Sequence, residues 1–145
     1  MAKFTTILFC FLFCVSWVLA QESADETAIR NTISDYFEGV VNGDTIRMRE
    51  AFHPSASMKY VDYQTGEYKD VPIADFLNRL KANAGKKTGR KTKIVYINLK
   101  GTAAQARLEI DGGTFYFHDY MNLLKIDGQW RIVSKIFWRE DKPKP

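Results

Sequence analysis

A carboxylate within an otherwise apolar stretch is the residue of this sequence best suited to chemistry. Asp119 stands between Phe117 and Met121, and side chains two positions apart share one face of a strand. A carboxylate in such surroundings could act as a general base or, when protonated, donate a hydrogen bond to a ligand carbonyl. The alternative is a structural aspartate bonded to a helix N-terminus or to a tyrosine hydroxyl.

Two further residues could complete a catalytic set with Asp119. Tyr36 lies on the apolar stripe of the first predicted helix, and its hydroxyl needs a hydrogen-bond partner if it is buried. His53 follows a short predicted helix and precedes Pro54. It is either a donor or proton shuttle in a pocket or a histidine satisfied by the backbone. The candidate catalytic residues are therefore Asp119, His53 and Tyr36.

Three more side chains are predicted to line a ligand pocket with these residues. Tyr60 lies in a predicted strand, where it would form part of the pocket mouth or play an ordinary role in the sheet. Met121 and Trp138 fall on the same predicted face as Asp119 and would form apolar walls beside it. The predicted ligand-binding set is thus Asp119, His53, Tyr36, Tyr60, Trp138 and Met121.

Other kinds of site find little support in the sequence. It contains two histidines, without a His-x-x-x-His pair or a carboxylate cluster at ligand spacing. It has no glycine-rich phosphate loop, and no serine stands in a nucleophile-elbow pattern. We therefore predict neither a metal site nor a cofactor.

A C-terminal hairpin over 114–139 is predicted to position Asp119. Asp127-Gly128 separates its two apolar runs, and this pair favours a type I′ turn, which needs positive φ at both central residues. A two-residue turn with unbroken arms places Asp119 opposite Ile136 and Trp138 on the same face. The opposite, outer face then carries Tyr116, His118, Tyr120, Val133, Lys135 and Phe137.

The remaining elements are predicted from periodicity and from end signals. The predicted helices run from about Asp25 to Val41, from Thr45 to Phe52 and from Ile73 to Ala82. The predicted strands before the hairpin are Ala56 to Tyr63, Glu67 to Val71, Thr92 to Leu99 and Thr102 to Ile110. Helices followed by an antiparallel meander predict an α+β fold with helices on one face of a curved sheet.

The start of the chain has the pattern of a secretory signal peptide. Lys3 precedes an uncharged apolar run, and Val18-Leu19-Ala20 forms a small-residue cleavage site. The alternative, an uncleaved membrane anchor, needs a slightly longer run. We predict cleavage of residues 1–20, a single domain over 21–140 and a disordered tail at 141–145. The mature protein would be secreted or periplasmic, with no stable membrane anchor.

Composition narrows the classes of partner. Both cysteines of the 145-residue chain lie in the predicted signal peptide, so the mature chain lacks disulfides and thiol nucleophiles. The net charge of +4 becomes +3 when Lys3 is removed, which is too mild to predict nucleic-acid binding. Positive charge is concentrated at 86–93, which is either a solvated basic loop or a site for phosphate or an anionic surface.

Three stretches carry a resemblance to a known family. They are Tyr36-Phe37-Glu38-Gly39 with Gly43-Asp44, Ala51-Phe52-His53-Pro54, and the long block 119–137. Together they resemble the NTF2-like superfamily, also called SnoaL-like or ketosteroid-isomerase-like, and in particular its lumazine-binding branch. The resemblance implies a cone of three helices packed on a curved, mainly antiparallel sheet, with a pterin-like ligand. It also implies a first-helix tyrosine, here Tyr36, as an oxyanion donor.

Three functions fit these observations. The first is a secreted binding module that holds a small apolar or aromatic molecule, and this is the function we expect from the sequence. The second is a cofactor-independent isomerase, dehydratase or hydrolase that uses Asp119 with Tyr36 or His53. The third is a dimerising accessory domain without a ligand. The aromatic outer face of the hairpin further predicts a homodimer.

Overall fold

A computed structural model describes residues 24–144 of the chain. The predicted signal peptide, residues 1–20, and the last residue of the predicted tail, Pro145, lie outside the described residues. No helix within the described range is long and apolar enough to cross a membrane. Helix α1 covers residues 24–42. The other elements are α2 (Thr45–Ala51), β1 (Phe52–Val61), β2 (Tyr68–Pro72), α3 (Ile73–Leu80), a short 3₁₀ helix (Lys81–Asn83), β3 (Lys91–Lys100), β4 (Ala103–Asp111), β5 (Phe115–Ile126) and β6 (Gln129–Asp141).

The strands form one mixed sheet with the order β2-β1-β6-β5-β4-β3. β1 runs parallel to β6, and every other neighbouring pair is antiparallel. The three helices pack on this sheet, and the core lies between the two layers. The predicted α+β class, with three helices on a mainly antiparallel sheet, is confirmed.

Some element ends differ from the prediction. α2 ends at Ala51, because Phe52 adopts extended backbone (φ −100°, ψ 147°) and begins β1. His53 is therefore the second residue of β1 and directly follows the C-cap of α2. At the other end of the chain β6 continues through Asp141, the first residue of the predicted tail, and Lys142 donates to the Asp111 carboxylate at 2.6 Å.

The turn of the C-terminal hairpin is the one that the sequence predicts. Asp127 and Gly128 both have positive φ, 49° and 79°. The pairs nearest the turn, Lys125–Trp130 and Leu123–Ile132, also match the predicted register. Beyond them Val133 is an extra residue in β6, and this β-bulge shifts the pairing by one position.

The bulge reverses the predicted faces of the far half of β6, because a one-residue shift moves every later side chain to the other side of the sheet. Lys135 and Phe137 turn inward, and Asp119 pairs with Phe137 and not with Ile136. Trp138 is 58% exposed on the outer face, so the prediction that it lines the pocket is wrong. The outer patch of the hairpin consists of Tyr116, His118, Tyr120, Ile136 and Trp138.

Helix α1 is anchored to the turn end of this hairpin. The Asp25 carboxylate accepts from Lys125 Nζ at 2.7 Å and from Trp130 Nε1 at 3.1 Å. About two helical turns further along, the Thr32 hydroxyl donates to the Trp130 carbonyl at 3.0 Å. These bonds fix the helix along the inner face of the sheet, so that Tyr36 is buried against β5 and β6.

The loop before β3 is attached to the C-terminal end of α1. Gly43 ends this helix with a φ of 68°, and its carbonyl accepts from Gly85 N at 3.0 Å. Thr88 supplies its backbone N–H to the Val41 carbonyl at 2.8 Å and its hydroxyl to the Val40 carbonyl at 2.9 Å. These donors satisfy carbonyls that a helix end leaves without intrahelical partners. The basic loop is thus held against the helix at a defined position.

Candidate functional site

A cavity of about 380 Å³ lies between the helices and the inner face of the sheet. This volume falls in the range of small-molecule pockets, roughly 300–1,000 Å³. Much of the wall is apolar or aromatic, with contributions from Val40, Met48, Phe76, Ile110, Phe117 and Phe137. The cavity therefore suits a ligand with an apolar or aromatic body.

Three buried polar side chains form a hydrogen-bonded cluster at the wall of this cavity. The Tyr36 hydroxyl donates to Asp119 Oδ2 at 2.6 Å and accepts from Lys135 Nζ at 2.8 Å. Lys135 Nζ also lies 3.0 Å from Asp119 Oδ2. Asp119 is fully buried, and Tyr36 and Lys135 are 1% and 6% exposed. Tyr36 and Lys135 line the cavity, whereas Asp119 lies behind them.

The cluster leaves two hydrogen-bonding positions unused. An ammonium group has three N–H donors, and within residues 24–144 Lys135 donates a hydrogen bond to the Tyr36 hydroxyl and forms an ion pair with Asp119. The second carboxylate oxygen, Asp119 Oδ1, is buried and has no partner in the same part of the chain. A free donor and a free acceptor in one buried cluster are unusual, since buried polar groups are nearly always paired.

The tyrosine of the cluster is held in its neutral form. Burial raises the pKa of Tyr36 well above its ordinary value of 10.0, because the charged phenolate would lose its solvation. The neighbouring negative charge of Asp119 and the hydrogen bond to that carboxylate raise the pKa further, and the charge of Arg90 partly opposes them. Tyr36 is therefore a neutral hydrogen-bonding group at neutral pH and not a general base.

The cluster has a clear chemical capacity toward a carbonyl compound. The unused N–H of Lys135 could donate to a carbonyl oxygen and stabilise negative charge that develops there. In its neutral form the same nitrogen could instead attack the carbonyl carbon. The desolvation cost of a buried ion pair offsets much of its attraction, so stability alone is a weak reason for such a pair.

The structure brings together two of the three predicted catalytic residues. Asp119 and Tyr36 are hydrogen-bonded, and Tyr36 lines the cavity. The tyrosine hydroxyl is one of the two structural partners expected for Asp119. His53 does not line the cavity, and its Nδ1 instead pairs with the Ser55 hydroxyl at 2.8 Å.

The other predicted ligand-binding residues lie outside the cavity wall. Tyr60 stacks on Phe137, which does line the cavity, with ring centroids 4.6 Å apart. Met121 is fully buried in the core below. Trp138 stacks on His118 on the outer face, with centroids 5.7 Å apart. Within the described residues, no group of three histidine, cysteine, aspartate or glutamate side chains is placed to hold a metal ion.

Lys135 is the site residue that sequence reasoning missed. An unbroken hairpin register places it on the outer face, and only the bulge at Val133 turns it inward. One signal in the sequence pointed to such a residue. A carboxylate buried at Asp119 requires donors or a cation, and the inner face of the predicted hairpin offered no cation close to it.

Comparison with known families gives a match over most of the chain. Residues 24–138 match the family described as "Putative lumazine-binding". Among characterised proteins, the chain is similar to Aldolase FrzH from Cladobotryum sp, with 30% identity over 119 residues. That alignment covers 79% of this chain and 91% of the relative.

Solved structures with the same architecture agree with this match. An NTF2-like protein of unknown function from Shewanella baltica is 33% identical and superposes with a TM-score of 0.74, covering 83% of this chain and 97% of that one. A second NTF2-like protein of unknown function, from Methylobacillus flagellatus, is 30% identical with a TM-score of 0.71, covering 81% and 93%.

Proposed function

This chain belongs to the lumazine-binding family of NTF2-like proteins, and from that premise we propose that it binds a small carbonyl compound in the cavity beside Lys135. The observation that carries the proposal is the buried Tyr36–Asp119–Lys135 cluster at the wall of an apolar cavity. The apolar wall would hold the body of the ligand, and the unused N–H of Lys135 would hold the carbonyl oxygen. We also propose that the signal peptide, residues 1–20, is cleaved and that the mature protein is exported.

The family name is consistent with this ligand chemistry. Lumazine is a flat aromatic bicycle that carries carbonyl groups, so it presents an apolar face and acceptors for a buried donor. In pockets of this kind, a few placed polar groups fix the orientation of a ligand whose contact area is mainly apolar. Lys135, held in place by Tyr36 and Asp119, would be such a group here.

A second candidate function is catalysis on the same carbonyl compound. Two observations favour it: the buried lysine at the cavity wall and the similarity to a protein named as an aldolase. Aldol chemistry requires activation of a carbonyl, and a lysine amine can provide it by forming an iminium. The nitrogen would add to the carbonyl carbon and the carbonyl oxygen would leave as water. Asp119 is placed to take the proton that the ammonium group must first lose.

One experiment tests binding and catalysis with the same probe, the aromatic ketone benzylacetone. We expect saturable binding by calorimetry to the wild-type protein and weaker binding to Lys135→Arg, which keeps the positive charge beside Asp119 but changes the donor geometry. The matched control is Lys59→Arg, in an exposed ion pair with Asp70. Absence of binding to the wild-type protein, or equal binding to both variants, would contradict the proposal.

Sodium borohydride then separates the two candidates. An iminium would be reduced to a stable adduct on Lys135, with the mass of the ketone less its oxygen atom, and the Lys135→Arg variant would not form it. Peptide mapping by mass spectrometry locates the adduct. Binding without an adduct leaves the protein as a binding module or as an enzyme that uses Lys135 only as a hydrogen-bond donor.

We also propose a homodimer formed through the outer patch of the hairpin. Ile136 and Trp138 are 49% and 58% exposed there, beside half-buried tyrosine and histidine side chains, and symmetric dimers are the commonest assembly. Light scattering at micromolar concentration should give twice the mass of the chain. Trp138→Lys should shift the protein to monomer, whereas Tyr68→Lys, on the exposed edge strand β2, should not. A monomeric wild-type protein would refute this assembly.

A further inference from the structure

Two cations besides Lys135 line the cavity. They are Lys86 and Arg90, both from the loop that precedes or begins β3. None of the residues described in the cavity wall is an aspartate or a glutamate. Lys135 is neutralised by Asp119, but no comparable carboxylate neutralises Lys86 or Arg90 at the cavity. The cavity therefore has an excess of positive charge.

Arg90 has aromatic neighbours where several other cationic side chains of the protein have a carboxylate. Lys125, Arg47 and Lys142 each contact a carboxylate within 3 Å. The Arg90 guanidinium instead lies over the rings of Phe115 and Phe117, 5.8 and 6.0 Å from their centroids. In the described part of the chain its N–H groups have no hydrogen-bond acceptor. Arg90 is thus a cation at the cavity wall whose neighbours are aromatic rings and whose guanidinium donors are unpaired within this range.

The position of Arg90 is fixed by its own backbone. Its N–H donates to the Thr88 hydroxyl at 3.3 Å, and that hydroxyl donates to the Val40 carbonyl at 2.9 Å. Arg90 is also half-buried, which distinguishes it from the exposed lysines of the loop. A half-buried guanidinium without an acceptor can bind a carboxylate with two parallel hydrogen bonds.

The charge of Arg90 is felt at the polar cluster. It lowers the pKa of Tyr36, against the larger effect of burial. Arg90 and Lys135 also line the same cavity, so one ligand could present an anionic group to Arg90 and a carbonyl oxygen to Lys135. The aromatic side chain of Phe117, which lines the cavity and lies under Arg90, would contact the body of such a ligand.

We infer that the ligand of this cavity is an oxo acid, an apolar or aromatic compound whose carbonyl lies at Lys135 and whose carboxylate binds Arg90. The inference rests on the proposed carbonyl site and adds the anionic group. Lys86, whose Nζ donates to Asn83 Oδ1 at 3.2 Å, adds a second positive charge to the wall of the same cavity. A carboxylate matches the two-pronged donor edge of Arg90, and a neutral ketone would leave that edge unused.

Three probes with the same phenylalkyl body test the two halves of the site separately. Benzylacetone has the ketone alone, phenylbutyrate has the carboxylate alone, and 2-oxo-4-phenylbutanoate has both. For the wild-type protein we expect calorimetry to show the tightest binding with 2-oxo-4-phenylbutanoate. Added salt should weaken the binding of the two acids and leave benzylacetone nearly unaffected.

The diagnostic variant is Arg90→Gln, and its matched control is Arg79→Gln on α3, away from the cavity wall. Loss of a charge-assisted hydrogen bond should weaken the oxo acid about tenfold to hundredfold. Benzylacetone should bind the Arg90→Gln variant about as well as the wild-type protein. All three probes should bind the Arg79→Gln control as they bind the wild-type protein. Circular dichroism and thermal melting verify that both variants are folded.

The outcomes distinguish this inference from the proposed function. Equal wild-type affinity for benzylacetone and 2-oxo-4-phenylbutanoate would overturn the oxo-acid inference and leave the carbonyl site standing. If Arg90→Gln weakened the binding of benzylacetone and of 2-oxo-4-phenylbutanoate equally, the inference would also be overturned, because the substitution would then act through the shape of the cavity. Binding of the two acids without any binding of benzylacetone would support the anion site and contradict the carbonyl site. Failure of all three probes would reject both.

Discussion

Replacement of Lys135 with methionine should lower the free energy of unfolding by about 3–5 kcal/mol, the usual effect of removing one partner of a buried ion pair. The ammonium group lies 3.0 Å from Asp119 Oδ2, and both residues are almost inaccessible to water. Methionine has a similar length, so the cavity left behind is small and the main cost is an uncompensated carboxylate. Urea unfolding followed by circular dichroism measures the change.

Two comparisons make this prediction specific to the buried pair. Lys59→Met removes the same charge from an exposed pair with Asp70, and it should change stability far less because water screens that pair. The double variant Lys135→Met with Asp119→Leu should recover much of the loss, because apolar residues can replace both members of a buried pair. Equal effects of Lys135→Met and Lys59→Met would contradict the burial argument.

Replacement of Asp119 with asparagine should abolish carbonyl-probe binding and lower stability by about 3–5 kcal/mol, because it leaves the buried Lys135 ammonium without its counter-ion. The carboxylate accepts from the Tyr36 hydroxyl at 2.6 Å and balances the charge of Lys135. The asparagine oxygen is uncharged, so it interacts less strongly with the Tyr36 hydroxyl and the Lys135 ammonium than the carboxylate does. The Lys135 ammonium would lose its counter-ion and its fixed position at the cavity wall. Calorimetry with benzylacetone and urea unfolding give the two readouts.

The control for this substitution is Asp70→Asn, which removes an exposed carboxylate from the pair with Lys59. It should leave probe binding unchanged and have little effect on unfolding. If Asp119→Asn lowers stability but keeps full probe affinity, the carboxylate is a structural partner of Tyr36 and Lys135 and has no role in the site. If it loses probe affinity without a change in stability, the cluster contributes to binding alone.

Local sequence signals predict most of the architecture. Asp127-Gly128 specifies a turn that few other residue pairs can form, because both positions need positive φ. This turn then sets the pairing of Lys125 with Trp130 and of Leu123 with Ile132. The alternation of apolar and polar residues along β5 correctly places Asp119 on the inner face. Local rules suffice here because the residues that obey them are neighbours in the chain.

The position of Tyr36, which α1 contributes to the site, could also be predicted from the sequence. The apolar stripe of α1 predicts that Tyr36 faces the sheet, and the requirement for a hydroxyl partner predicts a buried bond for it. The contact between Tyr36 and Asp119 joins residues 83 positions apart, so the sequence could suggest the pairing only as one of several alternatives.

Only the tertiary structure decided which residue of β6 completes the cluster. The bulge at Val133 has no local signature, since it lies in a run of strand-forming residues without glycine or proline. It occurs where β6 pairs with two different neighbours, and the pairing of β1 with β6 is also irregular there, between Phe52 and Ser57. A strand that must match an antiparallel neighbour on one side and a parallel neighbour on the other is set by the whole sheet. That constraint turns Lys135 toward Asp119 and Trp138 away, because one extra residue exchanges the two faces of a strand.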